Sequence, residues 1–142
     1  MRLVPYLMFP GCCADAFAHY ARVLRGEIVF RMTYGEMPDM PGCEEMPADT
    51  RQQIGHMAMV AGDATLMGAD GPPTQDAGGT TINIEVDTIE EAERVFGELA
   101  EGGSVQMPIG ETFWAHRWGT LVDRYGKPWM VNCLKPMPAQ EA

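Results

Sequence analysis

Residues 111–133 read ETFWAHRWGTLVDRYGKPWMVNC, and they hold all three tryptophans of the chain, one of its three histidines and one of its four cysteines. Two extended runs, WAHRWGTLV and PWMVNC, flank a polar segment from Asp123 to Gly126, so the stretch reads as a β-hairpin. A three-residue loop, Arg124-Tyr125-Gly126, pairs Val122 with Pro128, Thr120 with Met130 and Trp118 with Asn132. Partners share a side, which places Trp114, His116, Trp118, Thr120, Met130 and Asn132 on one face. A loop one residue longer turns the tryptophan strand over relative to its partner. The shorter loop is preferred because it gathers Leu121, Trp129 and Val131 on the other face, where a helix can cover them.

Outward from the hairpin the chain repeats itself. In ADAFAHYARVLRG, Phe17, Tyr20, Ala21 and Leu24 fall at helical spacing, His19 faces solvent, and Gly26 stands where a left-handed cap is wanted. In DTIEEAERVFGELAEGG the set is Ala92, Val95, Phe96 and Leu99; Thr88 with Glu91 forms a capping box and Gly102 ends the helix. A shift of 76 lays Ala16 on Ala92, Tyr20 on Phe96, Val23 on Leu99 and Gly26 on Gly102. Each helix follows a strand, LVPYLMF or TTINIEV, and precedes three more: GEIVFRMTY, HMAMV and ATLMGAD in the first half, SVQMP and the two hairpin strands in the second. The pattern predicts an α+β domain spanning 1–142, built of βαβββ modules 1–70 and 79–135.

Alternation assigns the faces. Ile82, Ile84 and Val86 cover the second helix, which leaves Thr81, Asn83 and Glu85 on the far side. In HMAMVAGDATLMGAD a two-residue turn, Gly62-Asp63, pairs Val60 with Thr65, Ala58 with Met67 and His56 with Ala69, so His56 and Met67 look the same way.

Composition narrows the function classes. At 142 residues the chain suits one domain, and its formal net charge of −10 repels phosphate backbones, which argues against nucleic acid. No apolar run approaches the roughly 20 residues of a membrane span, and the proline-broken LVPYLMFP opening is no signal peptide. Cys12, Cys13, Cys43 and Cys133 form no C-x-x-C pair and read as reduced thiols of a cytoplasmic protein.

The two βαβββ modules, the hairpin turn from Asp123 to Gly126 and above all ETFWAHRWGTLVDRYGKPWMVN resemble the PhnB-like branch of the vicinal oxygen chelate superfamily, over nearly the whole chain. The resemblance implies strands curled into an incomplete barrel, helices outside and a ligand cavity inside, in a homodimer. In the superfamily's enzymes that cavity holds a divalent metal, whose four ligand positions fall here at Pro5, Met67, Thr81 and Met130. A proline, two thioethers and a hydroxyl do not supply the hard oxygen or imidazole donors such a metal needs, so no metal and no other cofactor is expected. Nor does any strand lead through a Gly-rich loop into a helix, as a nucleotide-like methyltransferase cofactor would need; Gly78-Gly79 precedes a strand.

The ligand-lining residues expected on this basis are Met67, Thr81, Trp114, His116, Trp118 and Met130, a reading preferred over core or dimer packing of the tryptophan face. The leading reading is a metal-free protein that binds a cationic or aromatic small molecule, by analogy with the drug-sequestering resistance proteins of the superfamily. The alternative is a lyase or isomerase using His56, His116 or Glu111. Cys12 and Cys13 precede a helix, whose dipole lowers a thiol's pKa. Gly35 to Gln52 is a Met- and Pro-rich loop suited to a lid, or to no role.

Overall fold

A computed structural model describes residues 1–37, 45–72 and 79–136, and the chain divides into two compact units, Met1–Ala77 and Gly78–Ala142. Cys43 and the middle of the Gly35–Gln52 segment lie outside the described residues. The first unit contains β1 (Tyr6–Phe9), α1 (Cys13–Val23), β2 (Glu27–Thr33), a 3-10 turn (Tyr34–Glu36), the short helix α2 (Ala48–Arg51), β3 (Ile54–Ala61) and β4 (Ala64–Asp70). The second contains β5 (Ile82–Glu85), α3 (Ile89–Ala100), β6 (Ser104–Gly110), β7 (Ala115–Val122) and β8 (Pro128–Leu134).

Each unit builds one four-stranded mixed sheet, and the orders β1-β4-β3-β2 and β5-β8-β7-β6 are the same order written twice. The first strand of each pairs in parallel with the last, and the other neighbours are antiparallel. The repeat seen in the sequence is structural: β5 begins 76 residues after β1 (Tyr6, Ile82), and α3 begins 76 after α1 (Cys13, Ile89). The symmetry lapses after the second strand of each unit, where residues 34–53 in the first stand against only 111–114 in the second. The fold class is thus α+β, with two βαβββ motifs. No helix among the described residues is long and apolar enough to cross a membrane.

One face of each sheet is packed by its helix. In the second unit Ala92, Val95, Phe96 and Leu99 are buried as expected, and Thr88 Oγ1 accepts the Glu91 amide at 3.1 Å, closing the helix start. Gly119 lets α3 settle on β7, because a Cβ there would come 2.7 Å from Phe96 Cε2. Gly68 plays the same part under α1, where a Cβ would lie 2.8 Å from Phe17 Cε2. The α1 face differs from expectation: Cys13, Ala16, Phe17, Tyr20 and Val23 are buried, whereas Ala21 and Leu24 are half-buried. The stripe is rotated by less than one residue, enough to bury His19 rather than expose it, with its Nδ1 3.1 Å from the Arg22 guanidinium. A guanidinium only donates, so Nδ1 accepts and the ring's proton resides on Nε2. The left-handed residue after α1 is Arg25 (φ 52°), not Gly26.

Two buried aspartates fasten the chain. Asp70 Oδ1 accepts the amides of Gly11 (3.1 Å) and Cys13 (2.9 Å), and its Oδ2 accepts that of Ile54 (2.9 Å). It caps α1 from a strand remote in sequence, since Cys12 makes no side-chain cap of its own. Asp123 Oδ1 accepts the amides of Tyr125 (2.8 Å) and Lys127 (3.0 Å), and its Oδ2 accepts the Trp129 indole N–H at 2.8 Å. That network sets the hairpin loop.

Candidate functional site

Asp123 and Lys127 pair across a loop of three residues, and the ladder continues as Val122 with Pro128, Thr120 with Met130 and Trp118 with Asn132. This is the shorter-loop register. Trp129 is consequently 1% exposed, on the face packed by α3 together with Leu121 and Val131. Trp118, Thr120, Met130 and Asn132 share the opposite, open face. Parallel pairing adds Asn83 beside Met130 and Glu85 beside Asn132. Two rows therefore cross the open face, Glu85–Asn132–Trp118–Gly110 and Asn83–Met130–Thr120–Met107. Thr81 lies just before β5 and is exposed, as are Asn83 and Glu85, while Ile82, Ile84 and Val86, which alternate with them, are half-buried.

The start of the tryptophan strand departs from simple alternation. β7 begins at Ala115, so Trp114 precedes it, and Thr112 and Ala115 form a tight turn in which the Thr112 amide donates to the Ala115 carbonyl. Ala115 pairs with Leu134 but Arg117 with Cys133, leaving His116 as the extra residue of a β-bulge. The bulge resets which way the earlier residues point. The Trp114 ring nonetheless meets Trp118 edge to face at 5.5 Å, and Phe113, 85% exposed, meets Trp114 the same way at 4.9 Å. Phe113 is a site residue that alternation alone misses; its adjacency to Trp114 was the available signal. His116 is half-buried, and the carbonyl of its own peptide accepts from the Arg117 guanidinium at 2.6 Å.

The open face of the first sheet carries a second ring cluster. Tyr6, Met67, Ala58 and Phe30 form a row from β1 to β2, and Met32 pairs with His56 beside it. The Tyr6 hydroxyl lies 3.0 Å from His56 Nδ1 with the two rings stacked at 5.6 Å, and Phe30 meets His56 at 5.4 Å. Partial burial, then the nearby Tyr34 and Cys13, hold the Tyr6 pKa above its ordinary value, so the phenol is neutral around pH 7. Tyr6 and Phe30 were not singled out in the sequence, because the contact joins residues 50 apart.

Glu111 forms an exposed ion pair with Lys135 (3.6 Å), while His56 belongs to the first unit and His116 to the second. Cys13 is buried, and burial first, then the Asp70 charge, push its thiol up to about 12. Desolvation and a carboxylate outweigh the helix dipole, so the expected lowering of this thiol's pKa is reversed.

The donor set at the four metal-ligand positions does not fit a catalytic divalent ion. Pro5 and Met67 lie in the first unit, Thr81 and Met130 in the second, and none brings a carboxylate or imidazole. Among the described residues no three His, Cys, Asp or Glu side chains cluster closely enough to replace them.

Comparison with known proteins places the chain. The model of the Glyoxalase/Bleomycin resistance protein/Dioxygenase superfamily matches residues 2–131. The chain is 36% identical to Protein YjdN of Escherichia coli (strain K12) over 147 residues, covering 99% of this chain and 100% of that protein. Among solved structures it is similar to PA1353 from Pseudomonas aeruginosa, with 42% identity, a TM-score of 0.83 and coverage of 94% of this chain and 98% of that one. The PhnB protein from Bacillus cereus, described as a putative 3-demethylubiquinone-9 3-methyltransferase, shares the fold at a TM-score of 0.75 with 24% identity, over 93% and 98% of the two chains.

Proposed function

This chain belongs to the glyoxalase/bleomycin resistance protein/dioxygenase superfamily, and we propose that within it the protein acts as a metal-free binder of a cationic or aromatic small molecule. The observation that carries this reading is the edge-to-face series Phe113–Trp114–Trp118, which presents rings on the open side of the second sheet instead of burying them. Glu85 stands two strands from Trp118 in the same row, a distance of about 10 Å. A ring face and a carboxylate so spaced suit an organic cation, which gains from both the π-system and the charge. The net charge of −10 draws such a ligand from a distance. Met130 and Thr120 supply apolar and hydroxyl contacts between the two ends of the site; Met67 would line the corresponding face of the first sheet.

Calorimetric titration of metal-depleted protein with benzyltrimethylammonium tests the reading. Saturable binding that Trp118→Ala weakens by roughly tenfold or more supports it, since ring–cation contacts in a desolvated site contribute about 2 kcal/mol. Binding that requires added zinc, nickel or manganese contradicts it. The protein is further proposed to be a cytoplasmic homodimer, twofold pairing being the commonest assembly, and light scattering that returned a monomer would count against that.

The Tyr6–His56 contact favours a second reading, a lyase or isomerase. The neutral phenol holds the His56 ring through Nδ1 and leaves Nε2 to exchange a proton with a substrate. Among the described residues the His116 ring shows no such contact, and Glu111 is tied to Lys135. Stoichiometric binding of a divalent metal by calorimetry would turn the balance toward this reading.

A further inference from the structure

Four polar side chains are buried among the described residues: His19, Asp70, Asp123 and Asn132. Both carboxylates are satisfied through both oxygens, and His19 Nδ1 is held by Arg22 of its own helix. Of the four, Asn132 is the one that pairs with Trp118, on the open face of the second sheet. Its Nδ2 donates to Asn83 Oδ1 at 2.6 Å, but its Oδ1, on a side chain 5% exposed, meets no donor among the described residues. A buried carbonyl with no hydrogen to accept is costly, and such a group persists where something outside the fold completes it.

The neighbours say what that something is. On one side of Asn132 in its row stands the exposed carboxylate of Glu85, on the other the indole of Trp118. Two acceptors and a π-face converge there, so the missing group is a donor carrying positive charge. This inference rests on the small-molecule reading above and names the chemistry of its ligand. We propose that Asn132, with Glu85, recognises an N–H-bearing organic cation, a primary or secondary ammonium or a guanidinium, whose apolar part lies on Trp118 and Trp114. One N–H donates to Asn132 Oδ1 and another to the Glu85 carboxylate, and the side chains covering the Asn132 oxygen part to admit it. Asn83 is a positioning residue: by accepting from Nδ2 it keeps the amide turned so that oxygen, not nitrogen, awaits the ligand. A quaternary ammonium would satisfy the ring and the carboxylate but leave Asn132 unmet.

The test compares benzylammonium, benzyltrimethylammonium and phenylacetate by calorimetry on wild type, Asn132→Leu, Asn132→Asp and Trp118→Ala. Wild type should prefer benzylammonium over benzyltrimethylammonium by roughly tenfold or more, the worth of a hydrogen bond from a charged donor. Asn132→Leu should bring that ratio close to one, and Asn132→Asp, which keeps an oxygen acceptor in place, should retain it. Equal binding of the two cations by wild type overturns the proposal while leaving the tryptophan reading standing, provided Trp118→Ala weakens both. An unchanged ratio in Asn132→Leu overturns it too. So does tighter binding of phenylacetate, which would mean the amide presents its nitrogen. If neither cation binds, or Trp118→Ala changes nothing for either, the tryptophan reading itself fails.

Discussion

Trp129 and Trp118 are neighbours on the β7–β8 hairpin with opposite environments, so truncating each in turn tests the register on which the site depends. Trp129 is 1% exposed on the α3 side, and its indole N–H donates to Asp123 Oδ2 at 2.8 Å. Trp129→Ala removes the whole ring and should cost about 3–5 kcal/mol. Trp129→Phe keeps most of the packing but withdraws the donor from a carboxylate 3% exposed, for about 1.5–3 kcal/mol. Against a typical total of about 5–15 kcal/mol, the alanine variant should be severely weakened. Trp118, half-buried on the open face, should cost about 1 kcal/mol or less when truncated, because its ring contact with Trp114 is partly solvated. Urea unfolding of the three variants, followed by far-UV circular dichroism, reads the differences directly. An Asp123→Ala, Trp129→Phe cycle would show whether the carboxylate–indole pair accounts for the phenylalanine cost. If Trp118→Ala proved the more damaging change, the hairpin would be in the other register and the open face would be wrongly assigned.

Asp70→Asn should destabilise the first unit, since an amide cannot accept on both sides and leaves either the Ile54 amide or those of Gly11 and Cys13 facing a donor; the loss is about 1–3 kcal/mol for each amide unpaired. A melting temperature within a degree of wild type would refute the capping role. Cys13 links stability to alkaline pH. Its thiol is pushed up to about 12 from a usual 9.0, so above pH 9 the unfolded chain loses this proton while the folded chain keeps it. The contribution is complete below that point and is lost as pH rises toward the folded value. Cys13→Ala should flatten the decline in thermal stability between those limits, and an unchanged slope would refute the assignment.

Much of this was legible in the sequence because the informative signals are local. The Gly62-Asp63 turn and the Arg124-Tyr125-Gly126 loop each set a register, and both pairings follow once the loop length is known. The 76-residue shift works because each unit must bury one helix on one sheet, and both do so with the same spacing of apolar residues. Signals failed where local rules meet tertiary detail. His19 looked exposed because a helical wheel anchored on Leu24 misplaces the stripe, whereas α1 is anchored at its start, where Asp70 holds Cys13. The bulge at His116 and the turn at Thr112 cancel the alternation that placed Trp114, so the ring contact with Trp118 survives for a reason the pattern did not contain. Tyr6 and His56 meet only through strand order, β1 beside β4 beside β3, which no periodicity reports. The orphaned oxygen of Asn132 likewise emerges only when every neighbour has a position.

The most direct measurement follows the three indole N–H signals of the protein by two-dimensional ¹H–¹⁵N NMR, assigned with single Trp→Phe variants, during titration with benzyltrimethylammonium. Trp114 and Trp118 should shift progressively and saturate together, while Trp129, sealed under α3 with its N–H on Asp123, should stay in place. Movement of Trp129 with the other two still, or three unmoved signals at saturating cation, would contradict a binding face on the open side of the second sheet.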